Sequence, residues 1–284
     1  MLAEGILIGS YVLSSRWAQG SFSRVYEGHD PSTGQKVAIK VLDPEACAHA
    51  EIVARFLNEA RLLSTLSQPH LVRAVAIGGL PSGEPYVVLE WMPSTLASHL
   101  DAGALPVATA LRLAGQIAAG VVELHSRGLV HRDLKPANVL LDREQLATAQ
   151  AKLADLGLAK YLRPDEASAS ALLYVSTVRG TRLGTWEYMP PELWIDAKEV
   201  EGRADIYSLG ILLFQMLTGR VPFTAAEPQA LMAQHLFEPP ALNAISGLLG
   251  SEGAELLGAM LAKRARERPD AASVLRALNA LFRR

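Results

Sequence analysis

Within the segment HRDLKPANVLL (131–141), Asp133, Lys135 and Asn138 bring a carboxylate, an ammonium and an amide oxygen into one short stretch. Transfer of the γ-phosphoryl group of ATP asks for such a set. One carboxylate must orient and deprotonate a hydroxyl, and oxygen ligands must hold Mg²⁺ against the phosphates. Asp133 can serve as the first, and Asn138 as one of the second. The elements around this segment must then place it beside a nucleotide.

Composition sets the frame for those elements. The chain has 284 residues, half of them hydrophobic and a fifth charged, enough to bury a sizeable core as one large domain or two lobes. Its net charge of −2 and lack of long charged blocks give no reason to expect nucleic acid or a membrane surface as a partner. With Cys47 as the only cysteine, an intrachain disulfide or a cysteine-based zinc site is excluded. Residues 1–20 lack the basic start and long apolar run of a secretory signal, so a cytoplasmic location is expected. The apolar stretches 114–124 and 206–217 are too short for a membrane span and read as buried helices.

Residues 11–38 alternate β-branched and aromatic positions between Gly, Pro and Asp breaks, the pattern of an antiparallel meander. Residues 51–66 (EIVARFLNEARLLSTL) carry apolar side chains at helical spacing, and LVRAVAIGG and PYVVLEWM read as further strands. Beyond the WMPS segment the chain turns helical, with Pro106 placed to start a long amphipathic helix running to about Arg127. A sheet-rich part followed by a helix-rich part predicts an α+β protein of two lobes with a ligand cleft. Residues 163–182, rich in Ser, Thr and Ala, read as a mobile loop.

Taken together, these segments resemble a eukaryotic-type (Hanks-type) protein kinase domain over about residues 11–281, with its motifs in order. The resemblance implies a bilobal kinase fold with lobes 1–91 and 92–284 and an activation segment over 155–192. In VAIK (37–40), Lys40 would contact the α- and β-phosphates, with Glu59 on the following helix as its ion-pair partner. A helical Glu is ordinarily a solvated charge, but Lys40 upstream and Phe56, Leu62 and Leu63 around it favour the pair. DLG (155–157) stands where the family has DFG, which makes Asp155 the main Mg²⁺ ligand beside Asn138. PPE (190–192), DIYSLGI (205–211) and RERPD (266–270) match structural motifs, with Arg268 as partner to Glu192 and Asp205 as a helix-capping residue.

The glycine-rich loop is the weakest match. WAQGSFSRV (17–25) keeps Gly20 but has Ala18 and Ser23 where the family has glycine, changes that would stiffen the loop or weaken ATP binding. By the same resemblance, adenine would lie between Val25 and Ala38 on one side and Leu140 on the other. Its edge would bond backbone groups of Glu90 and Met92, with Leu89 as gatekeeper. Lys135 and Thr185 resemble the serine/threonine class, in which Lys135 neutralises the transferring phosphoryl and Thr185 bonds the Asp and Lys. Arg132 would pair with a phosphate on the activation loop, on Thr181 first and Thr177 second. The implied cofactors are ATP and Mg²⁺, with Mn²⁺ as a substitute, and the implied partners are proteins with Ser or Thr acceptors. The tract ALMAQHLFEPP (230–240) is most similar to bacterial serine/threonine kinases, and whether the chain is a soluble kinase or an excised domain stays open. The degraded loop motivates a rival, a pseudokinase serving as a nucleotide-binding scaffold. A small-molecule kinase of the aminoglycoside type is a second rival, against which PPE, DIYSLG and Arg268 count.

Overall fold

A computed structural model describes residues 4–20, 22–156, 183–195 and 201–284, with the side chains of 183–185 outside that description. The chain divides into two compact units, Met1–Pro93 and Ser94–Arg284.

The first unit is a six-stranded antiparallel sheet of order β1-β2-β3-β4-β6-β5 with one main helix. Its elements are β1 (Leu7–Ile8), β2 (Tyr11–Gln19), β3 (Ser23–His29), β4 (Lys36–Leu42), α1 (Pro44–Cys47), α2 (Ala50–Thr65), β5 (Ala74–Gly79) and β6 (Pro85–Glu90). Alternation fixes which face is buried. Val37, Ile39 and Val41 of β4 pack with Ile8, Leu13, Tyr26, Tyr86 and Val88 into one core cluster, and a strand's intervening residues must point the other way.

The second unit begins with β7 (Ser94–Thr95), α3 (Leu96–Leu100) and α4 (Val107–Ser126). A small sheet of order β7-β8-β9 follows, with β8 at Val139–Leu141 and β9 at Ala151–Leu153. Among the described residues the remaining α-helices are α5 (Pro191–Ile195), α6 (Arg203–Thr218), α7 (Pro228–Phe237), α8 (Asn243–Met260) and α9 (Ala271–Phe282). Pro106 does stand at the start of α4, which packs on α9 and α6. By length and composition α4 could cross a membrane, yet 56% of its most apolar window is buried within the protein.

Helix α6 is the hub of this unit. From Ala204 to Leu217 every residue but Gln215 is buried, as expected of a helix apolar on all sides. It ends at Gly219, whose φ of +75° suits glycine; a Cβ there would also lie 2.8 Å from the Ala104 nitrogen. Against α6 lies the fully buried guanidinium of Arg268. Arg268 bonds both Glu192 oxygens at 2.7 and 2.8 Å, donates to the carbonyls of Ala262, Arg203 and Lys263, and sits 4.8 Å from the Tyr207 ring centroid. The Glu192–Arg268 pair expected from sequence is therefore present.

His235 of α7 is also fully buried, its Nδ1 hydrogen-bonded to the Tyr207 hydroxyl at 2.9 Å among Trp194 and Phe223. Burial, aided by the positive charge of Lys263, pushes its pKa down to about 3. An unfolded histidine titrates near 6.5. The unfolded state therefore takes the proton first, and stability present above that pH is lost as pH falls towards 3. Between pH 7.5 and 5 the expected loss from His235 is about 2 kcal/mol, read as a lower denaturant midpoint. In His235→Gln the drop should shrink without vanishing, because burial lowers the pKa of His131 in the same direction.

Candidate active site

In the first unit the register assembles one face. Val25 pairs with Lys40, Glu27 with Ala38, and Ala38 with Leu89, so Val25, Ala38, Lys40 and Leu89 share the side opposite the core cluster. Lys40 Nζ lies 3.7 Å from Glu59 Oε1 of α2, each side chain 14% exposed. The helix thus delivers Glu59 to Lys40. Glu90 closes β6, its amide donating to the Arg73 carbonyl at 3.1 Å and its carboxylate accepting from the Arg73 amide at 2.9 Å. Met92, two residues on, is buried.

The glycine-poor loop is the β2–β3 hairpin, with Ala18 opposite Val25 and Gln19 opposite Arg24. Gly20 donates its amide to the Ser23 carbonyl at 2.7 Å, and a Cβ on Gly20 would lie 3.1 Å from Ser23 Oγ, so glycine is wanted here. Asp43 ties the hairpin down. Its carboxylate meets Arg24 Nε at 2.8 Å and accepts from Gln19 Nε2 at 3.2 Å, and its amide donates to the Phe22 carbonyl at 2.8 Å.

In the second unit the segment 131–138 hangs from α6. Asp205 is not a helix cap: Gly202 holds that position, and Asp205 stands in the first turn, 1% exposed. Its carboxylate accepts from the amides of His131 and Arg132, each at 2.8 Å, and contacts His125 Nε2 at 2.9 Å. Capping was expected because an Asp ahead of an apolar run usually caps; partners more than seventy residues away carry no local signal. Arg132 adopts φ +63°, a left-handed backbone that costs a non-glycine residue about 1–3 kcal/mol. The paired amides at Asp205 hold it there.

His131 is fully buried, and burial drives its pKa down against the opposing pull of Asp205, Asp133 and Asp155. Its Nε2 faces the Ala154 carbonyl at 3.2 Å and so carries the proton, leaving Nδ1 to accept from the Asp133 amide at 3.4 Å. The neutral ring braces the segment between β9 and Asp133. Asp133 Oδ2 then receives Lys135 Nζ at 2.8 Å and Asn138 Nδ2 at 3.0 Å, and that same nitrogen reaches the Asp133 carbonyl at 2.8 Å. Asp133, Lys135 and Asn138 are thus brought together around one carboxylate.

Asn138 also accepts the Ala154 amide on its backbone carbonyl at 2.9 Å, which joins it to the strand leading to Asp155. Asp155 is exposed with φ +53°, and Leu156 beside it is 2% exposed. A buried leucine and an exposed aspartate in a left-handed turn make the chain present one carboxylate outward. Leu140 lies in the middle of β8. Thr185 falls in the 3₁₀ turn Leu183–Tyr188. Gly157, Thr177, Thr181 and the loop expected over 163–182 lie outside the described residues.

Set beside known proteins, the chain matches a family model described as the protein kinase domain over residues 11–278. It belongs to the protein kinase domain family. Relatives of this kinase domain include the serine/threonine-protein kinase pkn2 of Myxococcus xanthus, 37% identical over 97% of the chain and 33% of the relative. The DNA damage-responsive serine/threonine-protein kinase RqkA of Deinococcus radiodurans is 33% identical over 98% of the chain and 40% of the relative. The kinase domain thus spans about a third to two fifths of the length of these relatives. In fold it resembles the PknI kinase domain of Mycobacterium tuberculosis, with TM-score 0.72 and 24% identity over 99% of this chain and all of that one. The α+β kinase fold expected from sequence is the fold observed.

Proposed function

We propose that the chain transfers the γ-phosphoryl group of ATP to Ser or Thr hydroxyls of protein substrates. The observation that carries this reading is the Asp133 carboxylate held by Lys135 and Asn138 on a segment fixed to a buried helix. Asp133 orients the acceptor hydroxyl and takes its proton, and Lys135 stabilises charge on the transferring group. Lys40, positioned by Glu59, holds the α- and β-phosphates. The base rests on Val25 and Ala38, with the backbone of Glu90 and Met92 at its edge; Ala18 and Gly20 belong to the loop over the phosphates. Leu140 and Thr185 are assigned to the base and to Asp133 and Lys135 by family resemblance alone.

The donors suit magnesium. Asn138 spends its Nδ2 on Asp133, which turns its Oδ1 the other way, and Asp155 offers an outward carboxylate. Two oxygen ligands leave room for water and substrate phosphates, the coordination Mg²⁺ prefers. When bound, the ion neutralises phosphate charge as it develops. The same reading pairs Arg132 with a phosphate on Thr181, or secondarily Thr177. Relatives named as serine/threonine-protein kinases support the acceptor class.

The test is transfer of radiolabelled γ-phosphate to the chain itself and to a generic Ser/Thr protein. Label on Ser or Thr that requires Mg²⁺ and disappears with a chelator is the expected result. Nucleotide binding without label under any metal would overturn the reading.

A further inference from the structure

We propose that Asp43 is a positioning residue for the triphosphate: its carboxylate clasps the β2–β3 hairpin and sets in advance the shape that receives the phosphates. The inference rests on the kinase reading above and deepens it. Asp43 stands immediately before α1, where an aspartate ordinarily caps the helix by accepting from its amides. Its side chain makes no such bond. The carboxylate turns back to the hairpin instead, with Oδ1 2.8 Å from Arg24 Nε and Oδ2 accepting from Gln19 Nε2 at 3.2 Å. Gln19 and Arg24 are opposite each other in the β2–β3 ladder, so one carboxylate holds both strands at the root of the loop.

Further bonds carry the clasp into the backbone. The Asp43 amide donates to the Phe22 carbonyl at 2.8 Å, and Gln19 Nε2 also donates to the Gly20 carbonyl at 3.3 Å, while Gln19 Oε1 accepts from Arg16 Nη2. Backbone amides are the groups by which such a loop meets phosphate. The Ser23 amide shares a planar trans peptide with the Phe22 carbonyl, so fixing that carbonyl on Asp43 turns the amide the opposite way.

The clasp lies away from the base. Val25 shares the face of Ala38 and Lys40, so Arg24, one residue earlier, points to the other side of the sheet, with Val41 opposite it in the ladder. It can hold the hairpin without occupying the phosphate site. The Arg24 and Asp43 side chains are only 14% and 12% exposed, so salt screens this pair less than a surface one. With Ala18 and Ser23 in place of glycine the backbone has fewer shapes to adopt, and the clasp selects among those few. A loop already ordered loses less conformational entropy when the triphosphate arrives.

Calorimetric titration of the full chain with Mg²⁺ and adenylyl imidodiphosphate, beside titration with adenosine, tests this. Asp43→Ala should weaken binding of the triphosphate analogue about 5- to 20-fold and leave adenosine within about twofold, because adenosine lacks the groups the hairpin receives. Arg24→Ala should do the same, and the double variant should lose no more than either single one, since both act through one pair. Gln19→Ala, at an exposed position, should lose about 2- to 5-fold, which keeps the test open where Asp43→Ala does not fold. Unchanged triphosphate affinity in these folded variants, or an equal loss for adenosine, would overturn the positioning role and leave the kinase reading intact. A wild-type chain that binds no nucleotide by calorimetry would overturn both.

Discussion

Asp133→Asn is expected to lower phosphoryl transfer by about 10²- to 10⁴-fold, while nucleotide affinity stays within about threefold of wild type. The substitution is close to isosteric. An asparagine oxygen can still accept from Lys135 Nζ and Asn138 Nδ2, so the segment keeps its shape and loses only the basic oxygen. Single-turnover transfer beside calorimetric titration separates the two effects. Equal transfer rates would remove Asp133 from the reaction; a parallel loss of affinity would show that it acts in binding instead.

Arg268→Ala is expected to destabilise the second unit by about 3–5 kcal/mol. The guanidinium is fully buried, and its removal strands the Glu192 carboxylate together with the carbonyls of Ala262, Arg203 and Lys263. It also uncovers the Tyr207 ring, whose hydroxyl serves His235. Arg268→Lys should recover little, because one ammonium cannot reproduce two parallel bonds to a carboxylate. Urea unfolding at pH 7.5 measures the loss. A change below about 1 kcal/mol would mean that water replaces the guanidinium at little cost.

Much of this architecture is legible in the sequence where a period repeats often enough. The helix expected over 51–66 forms as Ala50–Thr65, and the one expected from Pro106 to about Arg127 forms as Val107–Ser126. Short elements escape such reading: Leu7–Ile8 and Leu96–Leu100 contain too few residues to show alternation or a full apolar stripe. The residues proposed to do chemistry are legible because side-chain type limits them. Asp133, Lys135 and Asn138 converge as their spacing suggests, as do Lys40 and Glu59 across a strand and a helix.

What holds those residues in place is less legible. The role of Asp205 depends on the amides of His131 and Arg132, far away in sequence, and any Asp near a helix start reads locally as a cap. The register shift between Arg16 and Ala18 in the β2–β3 ladder is likewise silent in sequence, since an extra residue shows only against its partner strand. The tautomer of His131 follows from a carbonyl on one side and an amide on the other, both set by tertiary structure.

The attachment of residues 131–132 to Asp205 has a consequence for how this domain can change over evolutionary time. Two left-handed or buried positions of the reactive segment owe their geometry to a carboxylate on the most enclosed helix of the unit. Opening the segment at residues 131–132 requires breaking both bonds to this helix. Substitutions on surface helices can therefore leave residues 131–132 in place, whereas a core change that shifts α6 would displace them. The geometry of residues 131–132 is guarded from the inside.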